Sequence, residues 1–166
     1  GMAAATPAGF GAEFGMIWAA ASYQPKVRYN DGDDGAVAVG FGLGNARNLV
    51  GLQVSVTSFS TVNSGLGNRL GVDVHLHRTF ADVWGVAVGW ESVAGGWDVT
   101  RDSGENIYAV GSRWLSLRSD PSAPFGSGMI SLGVGSGRFQ TEESFYDDRD
   151  GGVGVFGSFG VRVAPP

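Results

Sequence analysis

Bulky apolar residues recur at every second position along almost the whole chain. "GAVAVGFGLG" sets Val37, Val39, Phe41 and Leu43 against Ala36, Ala38, Gly40 and Gly42. "NLVGLQVSVTS" sets Val50, Leu52, Val54 and Val56 against Gly51, Gln53 and Ser55, and "RLGVDVHLH" sets Leu70, Val72, Val74 and Leu76 against Arg69, Gly71, Asp73, His75 and His77. A period of two puts alternate side chains on opposite faces of an extended strand. Near the start of the chain the same beat predicts Phe10, Phe14, Met16 and Trp18 on the bulky face, opposite Gly11, Glu13 and Gly15. Later segments add Trp84, Val86, Val88 and Trp90; Tyr108, Val110 and Trp114; Ile130, Leu132 and Val134; and Val153, Val155, Phe159, Val161 and Val163. Eight strands result, over about 8–23, 35–44, 48–59, 69–79, 83–92, 106–117, 128–138 and 152–164, and no stretch keeps a helical period. The expectation is one all-β domain over residues 1–166.

Connection lengths add topology. Polar, acidic segments follow the first (24–34), third (60–68), fifth (93–105) and seventh (140–151) strands, and short ones follow the second (44–48) and fourth (79–82), while the link after the sixth (118–128) is longer than this rhythm wants. Such alternation is that of an antiparallel up-and-down meander with its elaborate loops at one end and both termini at the other. Eight such strands close naturally into a barrel, which removes exposed edges.

Composition decides which face points where. Glycine accounts for 29 of 166 residues, more than twice the ~7 % of an average protein. The face opposite the bulky one is chiefly Gly, Ala and Ser, with Glu13, Gln53, Arg69, Asp73, His75, His77, Glu91, Arg113 and Arg162 as its sparse polar members. A water-facing sheet is richer in Lys, Glu and Thr, because glycine in a strand packs nothing. The interior of an eight-stranded barrel is only wide enough for side chains, so small residues relieve crowding there and opposite charges pair. Glu13, Asp73 and Glu91 against Arg69, Arg113 and Arg162 make a balanced lumen network. Trp18, Tyr23, Trp84, Trp90, Tyr108 and Trp114 lie near strand ends, as aromatic girdles do.

The chain thus resembles the small eight-stranded outer-membrane barrels of bacteria, the OmpA-type and opacity-type families of the porin-like superfamily. The resemblance spans residues 8–164 and rests on strand count, alternation, loop rhythm and glycine content. It implies a non-enzymatic structural or surface protein in a lipid bilayer, with a largely plugged polar lumen and acidic loops displayed outside. It also implies a signal peptide, which is absent from this sequence, although "AAATPAGFG" at 3–11 has the small residues of a cleavage site. The families' usual aromatic last residue is replaced by "VAPP". The alternative is a soluble periplasmic or cytoplasmic β-barrel or sandwich that buries its bulky face, binds a hydrophobic ligand or self-associates.

Other chemistry is thinly supported. A net charge of −5 argues against nucleic acid, and the lack of cysteine removes disulfides and thiolate sites. Asp73, His75 and His77 share one strand face and offer two imidazoles and a carboxylate to a metal. A loop at Phe80-Ala81-Asp82 would set His75 near Ala87 and His77 near Gly85, which supply no further ligand, so lumen filling is the expected role. "NDGDDG" at 30–35 and "DDRDGG" at 147–152 invite a divalent cation but lack EF-hand spacing. "GFGLGN" and "GVGSG" precede no helix, so they are not phosphate loops, and no G-x-S-x-G elbow occurs. No catalytic residue and no cofactor is expected.

Overall fold

Branched and aromatic residues alternating with small ones suit a pleated strand with unlike faces, and glycine and polar clusters break the pattern into segments. The computed structural model describes residues 2–3, 6–25, 33–58, 62, 65–66, 70–95, 106–140 and 152–163. A short hairpin pairs β1 (Met2–Ala3) with β2 (Thr6–Pro7). Eight further strands form one antiparallel sheet: β3 (Ile17–Gln24), β4 (Asp34–Gly44), β5 (Gly51–Ser58), β6 (Leu70–Phe80), β7 (Trp84–Gly95), β8 (Asn106–Ser116), β9 (Ser127–Gly135) and β10 (Gly154–Val161). Each pairs with its neighbour in sequence, so the expected all-β meander is the observed fold. The sheet curls strongly into a half-barrel, and helix is confined to one 3-10 turn at Gly137–Phe139 among the described residues. Among those residues no ladder joins β3 to β10, so the sheet keeps two edges where the sequence suggested closure.

The first strand departs from expectation. Alternation over 8–23 predicted one long strand, but β3 begins only at Ile17. Gly15 turns the chain at φ 85°, and the Met16 N–H donates to the Glu13 carbonyl at 3.0 Å. Glycine enters that left-handed region without a steric penalty. Upstream of the turn, residues 7–13 leave the sheet and cross its concave face as a strap, with Pro7, Ala8, Gly9 and Ala12 buried. The Phe14 N–H then donates to the Gly44 carbonyl, which ties the end of the strap to β4. Any extended segment can show a period of two, so the pattern could not say that this one lies across the sheet.

Strands β4, β5, β6, β7, β9 and β10 turn most of their bulky residues to the convex side and their small or polar ones inward, as expected, with Phe156 of β10 an inward exception. Strands β3 and β8 are reversed. Ile17 faces outward at 86 % exposure, while Trp18 turns its indole over Gly40 and Ser55. On β8, Tyr108, Val110 and Ser112 point inward, and Ile107, Ala109 and Arg113 point outward. The register supplies the reason. Trp18 lies opposite Gly40, Tyr108 opposite Gly89 and Phe156 opposite Gly133, so each inward ring covers a place its partner leaves empty. Tyr108, Phe156 and Phe139 then pack with Ala87 and Val110 as the interior cluster.

The β6–β7 hairpin turns through Ala81, Asp82 and Val83 rather than Phe80-Ala81-Asp82. Phe80 therefore faces Trp84, His75 faces Gly89 and His77 faces Ala87. Ala81 (φ 46°) and Asp82 (φ 61°) both occupy the left-handed region, the requirement of a type I′ turn. Alanine is poorly suited to it. Ala81→Asn is expected to raise stability by about 0.5–1 kcal/mol, read as a higher unfolding midpoint, because asparagine tolerates that conformation.

Candidate functional site

The concave face is the natural place to look for chemistry, because the polar side chains of the sheet converge there. The strap runs across it from β8 toward β4. Its Gly9 N–H donates to Ser112 Oγ at 2.7 Å, and its Ala12 N–H donates to Gln53 Oε1 at 3.0 Å. Ser112 Oγ also shares a 2.7 Å hydrogen bond with Ser131 Oγ. These inward hydroxyls and the amide thus give the strap the backbone partners that a ladder would otherwise supply.

Glu91 is the centre of the strongest polar contact. Arg138 reaches it from the 3-10 turn after β9, donating from Nε to Oε2 and from Nη2 to Oε1, both at 2.7 Å. Asn106 joins the pair, donating Nδ2–H to Glu91 Oε2 at 3.1 Å and accepting the Arg138 backbone N–H at 2.7 Å. The guanidinium also lies 4.4 Å from the centre of the Phe139 ring. Burial works against its charge, but the facing Glu91 carboxylate outweighs that and holds Arg138 above its ordinary value.

Asp73, His75 and His77 do share the inner face of β6, but they serve three separate contacts. Asp73 accepts the Ser92 N–H at 2.9 Å through Oδ1 and the Thr57 hydroxyl through Oδ2. Ser92 sits at φ 58° where the β6–β7 register shifts, so Asp73 pins a bulge, and that bulge adjoins Glu91. His75 Nδ1 is hydrogen-bonded to the Tyr108 hydroxyl at 2.8 Å, and its ring stacks on His77 with centroids 5.3 Å apart. His77 is buried beneath Gly11 of the strap and beside Gly51. Among the described residues, His75 Nε2 and both ring nitrogens of His77 make no hydrogen bond of ordinary geometry. Among the described residues no three His, Asp or Glu side chains are grouped to hold a metal ion.

The expected six-charge network is dispersed. Glu13 lies half-buried on the strap rather than in the sheet. Arg113 is a correction: it projects from the convex face, its guanidinium 4.8 Å from the centre of the Trp84 ring, because β8 carries the reverse facing. Arg162 follows β10, where its backbone bonds Ser127 and Phe125, and it forms no ion pair with a described residue. Arg69 lies outside the described residues, as do most of the acidic segments at 30–35 and 147–152. Alternation overlooked Arg138 because an extended count from β9 assigns it outward, and the 3-10 turn rotates it in. Trp18, Tyr108 and Trp114, expected in outer girdles, lie on the inner side, where Trp114 meets Phe10 of the strap at 6.0 Å. Tyr23, Trp84 and Trp90 remain outward.

Comparison with known protein families, with characterised proteins and with solved structures finds no match to this chain. Site geometry alone therefore carries the functional reading.

The Glu91 side chain is 10 % exposed and that of Arg138 is 30 %. Removing the cation strands the more deeply buried charge, so Arg138→Met is expected to cost about 2–3 kcal/mol in chemical unfolding. The double variant Glu91→Gln with Arg138→Met is expected to recover a large part of that loss.

Proposed function

We propose that this chain is a non-enzymatic bilayer-embedded β-sheet protein of the small outer-membrane barrel kind, similar in plan to the OmpA-type and opacity-type families. Its role is structural or at the cell surface, in the bacterial outer membrane, and its polar interior is filled by its own strap and ion pair. The observation that carries this reading is the convex face. Ile17, Leu132, Val155 and Phe159 are 86 %, 66 %, 72 % and 61 % exposed, and Val39, Val56, Leu76, Val88, Ile107 and Val134 continue the same apolar surface between them. The buried face meanwhile carries Gln53, Ser55, Thr57, His75, His77, Glu91, Ser112 and Ser131. A protein folded in water has the opposite distribution, and apolar surface of this extent is stable only against lipid or another protein. Alternation of lipid-facing and lumen-facing residues is what a membrane-spanning strand requires. No described helix is long and apolar enough to cross a membrane.

The acidic net charge fits the same reading, since it offers no surface for nucleic acid. Much of the inward polar surface is taken up by the strap and by the Glu91–Arg138–Asn106 contact, which supports a structural role over an enzymatic one.

Two measurements test the proposal. After refolding into vesicles, lipid-borne quenchers are expected to quench Trp84 and Trp90 and to spare Trp18, as Trp→Phe variants would resolve. A chain that stays folded and monomeric in detergent-free buffer, with Trp84 unquenched, would reject it. Val88→Arg is expected to cost about 2–4 kcal/mol of folding stability in a bilayer. An exposed valine on a water-facing sheet would instead change stability by about 0.5 kcal/mol or less.

A further inference from the structure

The convex face is not uniformly bulky. Along β8 its outward residues are Ile107, Ala109, Gly111 and Arg113, and the middle two are small. A side chain placed on Gly111 would meet no atom within 4 Å. On one side Val86 and Val88 of β7 stand opposite Gly111 and Ala109, and on the other Leu132 and Val134 of β9 do the same. The result is an apolar depression of about 680 Å³ that spreads across the sheet from Val50 and Leu76 to Val155, and its deepest strip is Ala109 and Gly111 of β8. The side chains of its floor and of its two nearest walls, Val86, Val88, Leu132 and Val134, are hydrocarbon.

One end of this groove is cationic. Arg113 is the next outward residue of β8 after Gly111, and Arg78 borders the groove from β6. The Arg113 guanidinium lies 4.8 Å from the Trp84 ring centre and that of Arg78 lies 5.3 Å from the Phe80 ring centre. Phe80 and Trp84 are themselves a cross-strand pair, so two arginines flank one aromatic pair at the end of the sheet that carries the short turns. Neither forms an ion pair with a described residue, unlike Arg47 with Asp82 and Arg138 with Glu91. Flat guanidinium groups held on aromatic faces keep their outer N–H donors free for an oxyanion.

We propose that this groove is a binding site for an anionic phospholipid: one acyl chain lies along β8 over Ala109 and Gly111, and the phosphate is held between Arg78 and Arg113. The inference rests on the membrane reading above and goes beyond it, because an ordinary lipid-facing surface has no preference among headgroups. Strand direction lays the strip of Ala109 and Gly111, walled by Val86 and Val88 on one side and Leu132 and Val134 on the other, along the lipid tails. The two unbalanced cations sit at the level where headgroups lie, since they share it with the aromatic pair.

The test uses the full chain in phosphatidylcholine vesicles doped with spin-labelled phosphatidylglycerol or spin-labelled phosphatidylcholine. Phosphatidylglycerol is expected to quench Trp84 at about tenfold lower mole fraction, the order of effect of two interfacial arginines. Arg78→Gln with Arg113→Gln is expected to abolish that preference while Trp90 remains equally quenched by both lipids. Gly111→Leu keeps both charges and fills the floor, so it separates a built groove from general electrostatic attraction: the site requires the preference to fall. Equal quenching by the two lipids, or a preference that survives Gly111→Leu, overturns the site and leaves the membrane reading standing. Absence of quenching at both Trp84 and Trp90 with either lipid overturns both.

Discussion

The interior of this protein depends on the approach of one backbone to another. At Gly9 the strap lies directly against Gly85 of β7, and a methyl group on Gly9 would occupy the place of the Gly85 carbonyl. A methyl group on Gly85 would come within 2.6 Å of the Gly9 carbonyl oxygen. With two side-chain-free residues in contact, the strap can sink to the floor of the half-barrel, where Ser112 and Gln53 reach its N–H groups. Were it held higher, those inward polar side chains would be buried without partners, which costs more than the hydrogen bonds contribute when made. Glycine in a strand is otherwise a weakness, and here it marks the close passage of a second chain segment.

The aromatic side chains of the interior follow the same logic of gaps and fillers. Trp18, Tyr108 and Phe156 each lie across from a glycine on the neighbouring strand, and the Tyr108 hydroxyl then reaches His75. Tyr108 meets Phe139 edge-on with centroids 5.7 Å apart, and Phe139 stands beside Arg138 and so beside the Glu91 pair. The apolar cluster and the charged contact are therefore one continuous assembly. The cluster shields the ion pair from water, and the pair fixes the 3-10 turn that supplies Phe139. A buried pair with good bidentate geometry and a third partner is the form in which such a contact offsets its own desolvation.

The convex face has a different physics. Its residues make few contacts within the chain, so their identity is dictated by what surrounds the protein rather than by packing. On the membrane reading proposed above, the apolar belt, the outward Trp84 and Trp90, and the arginines stacked at one end each have a place against a bilayer.

Some of this was legible in the chain alone. Side-chain direction in a strand is a local property of the backbone, so alternation was enough to predict the eight-stranded meander and the facing of β4, β5, β6, β7, β9 and β10. It also placed Asp73, His75 and His77 on one inner face, where they are found. What only the tertiary structure decided were the features set by a distant partner. Residues 7–13 alternate like a strand but lie across the sheet, because Gly85 of β7 leaves room for Gly9 and Gly11 leaves room for His77 of β6. Strand β8 turns Tyr108 inward and Arg113 outward against its size pattern, because Gly89 and Gly135 leave room on the inside. Glu91 finds Arg138 rather than a cation on a neighbouring strand, because a single 3-10 turn rotates that side chain across the face. Size and polarity rank the positions of one strand, whereas the vacancy that each residue fills is created by the register of the next.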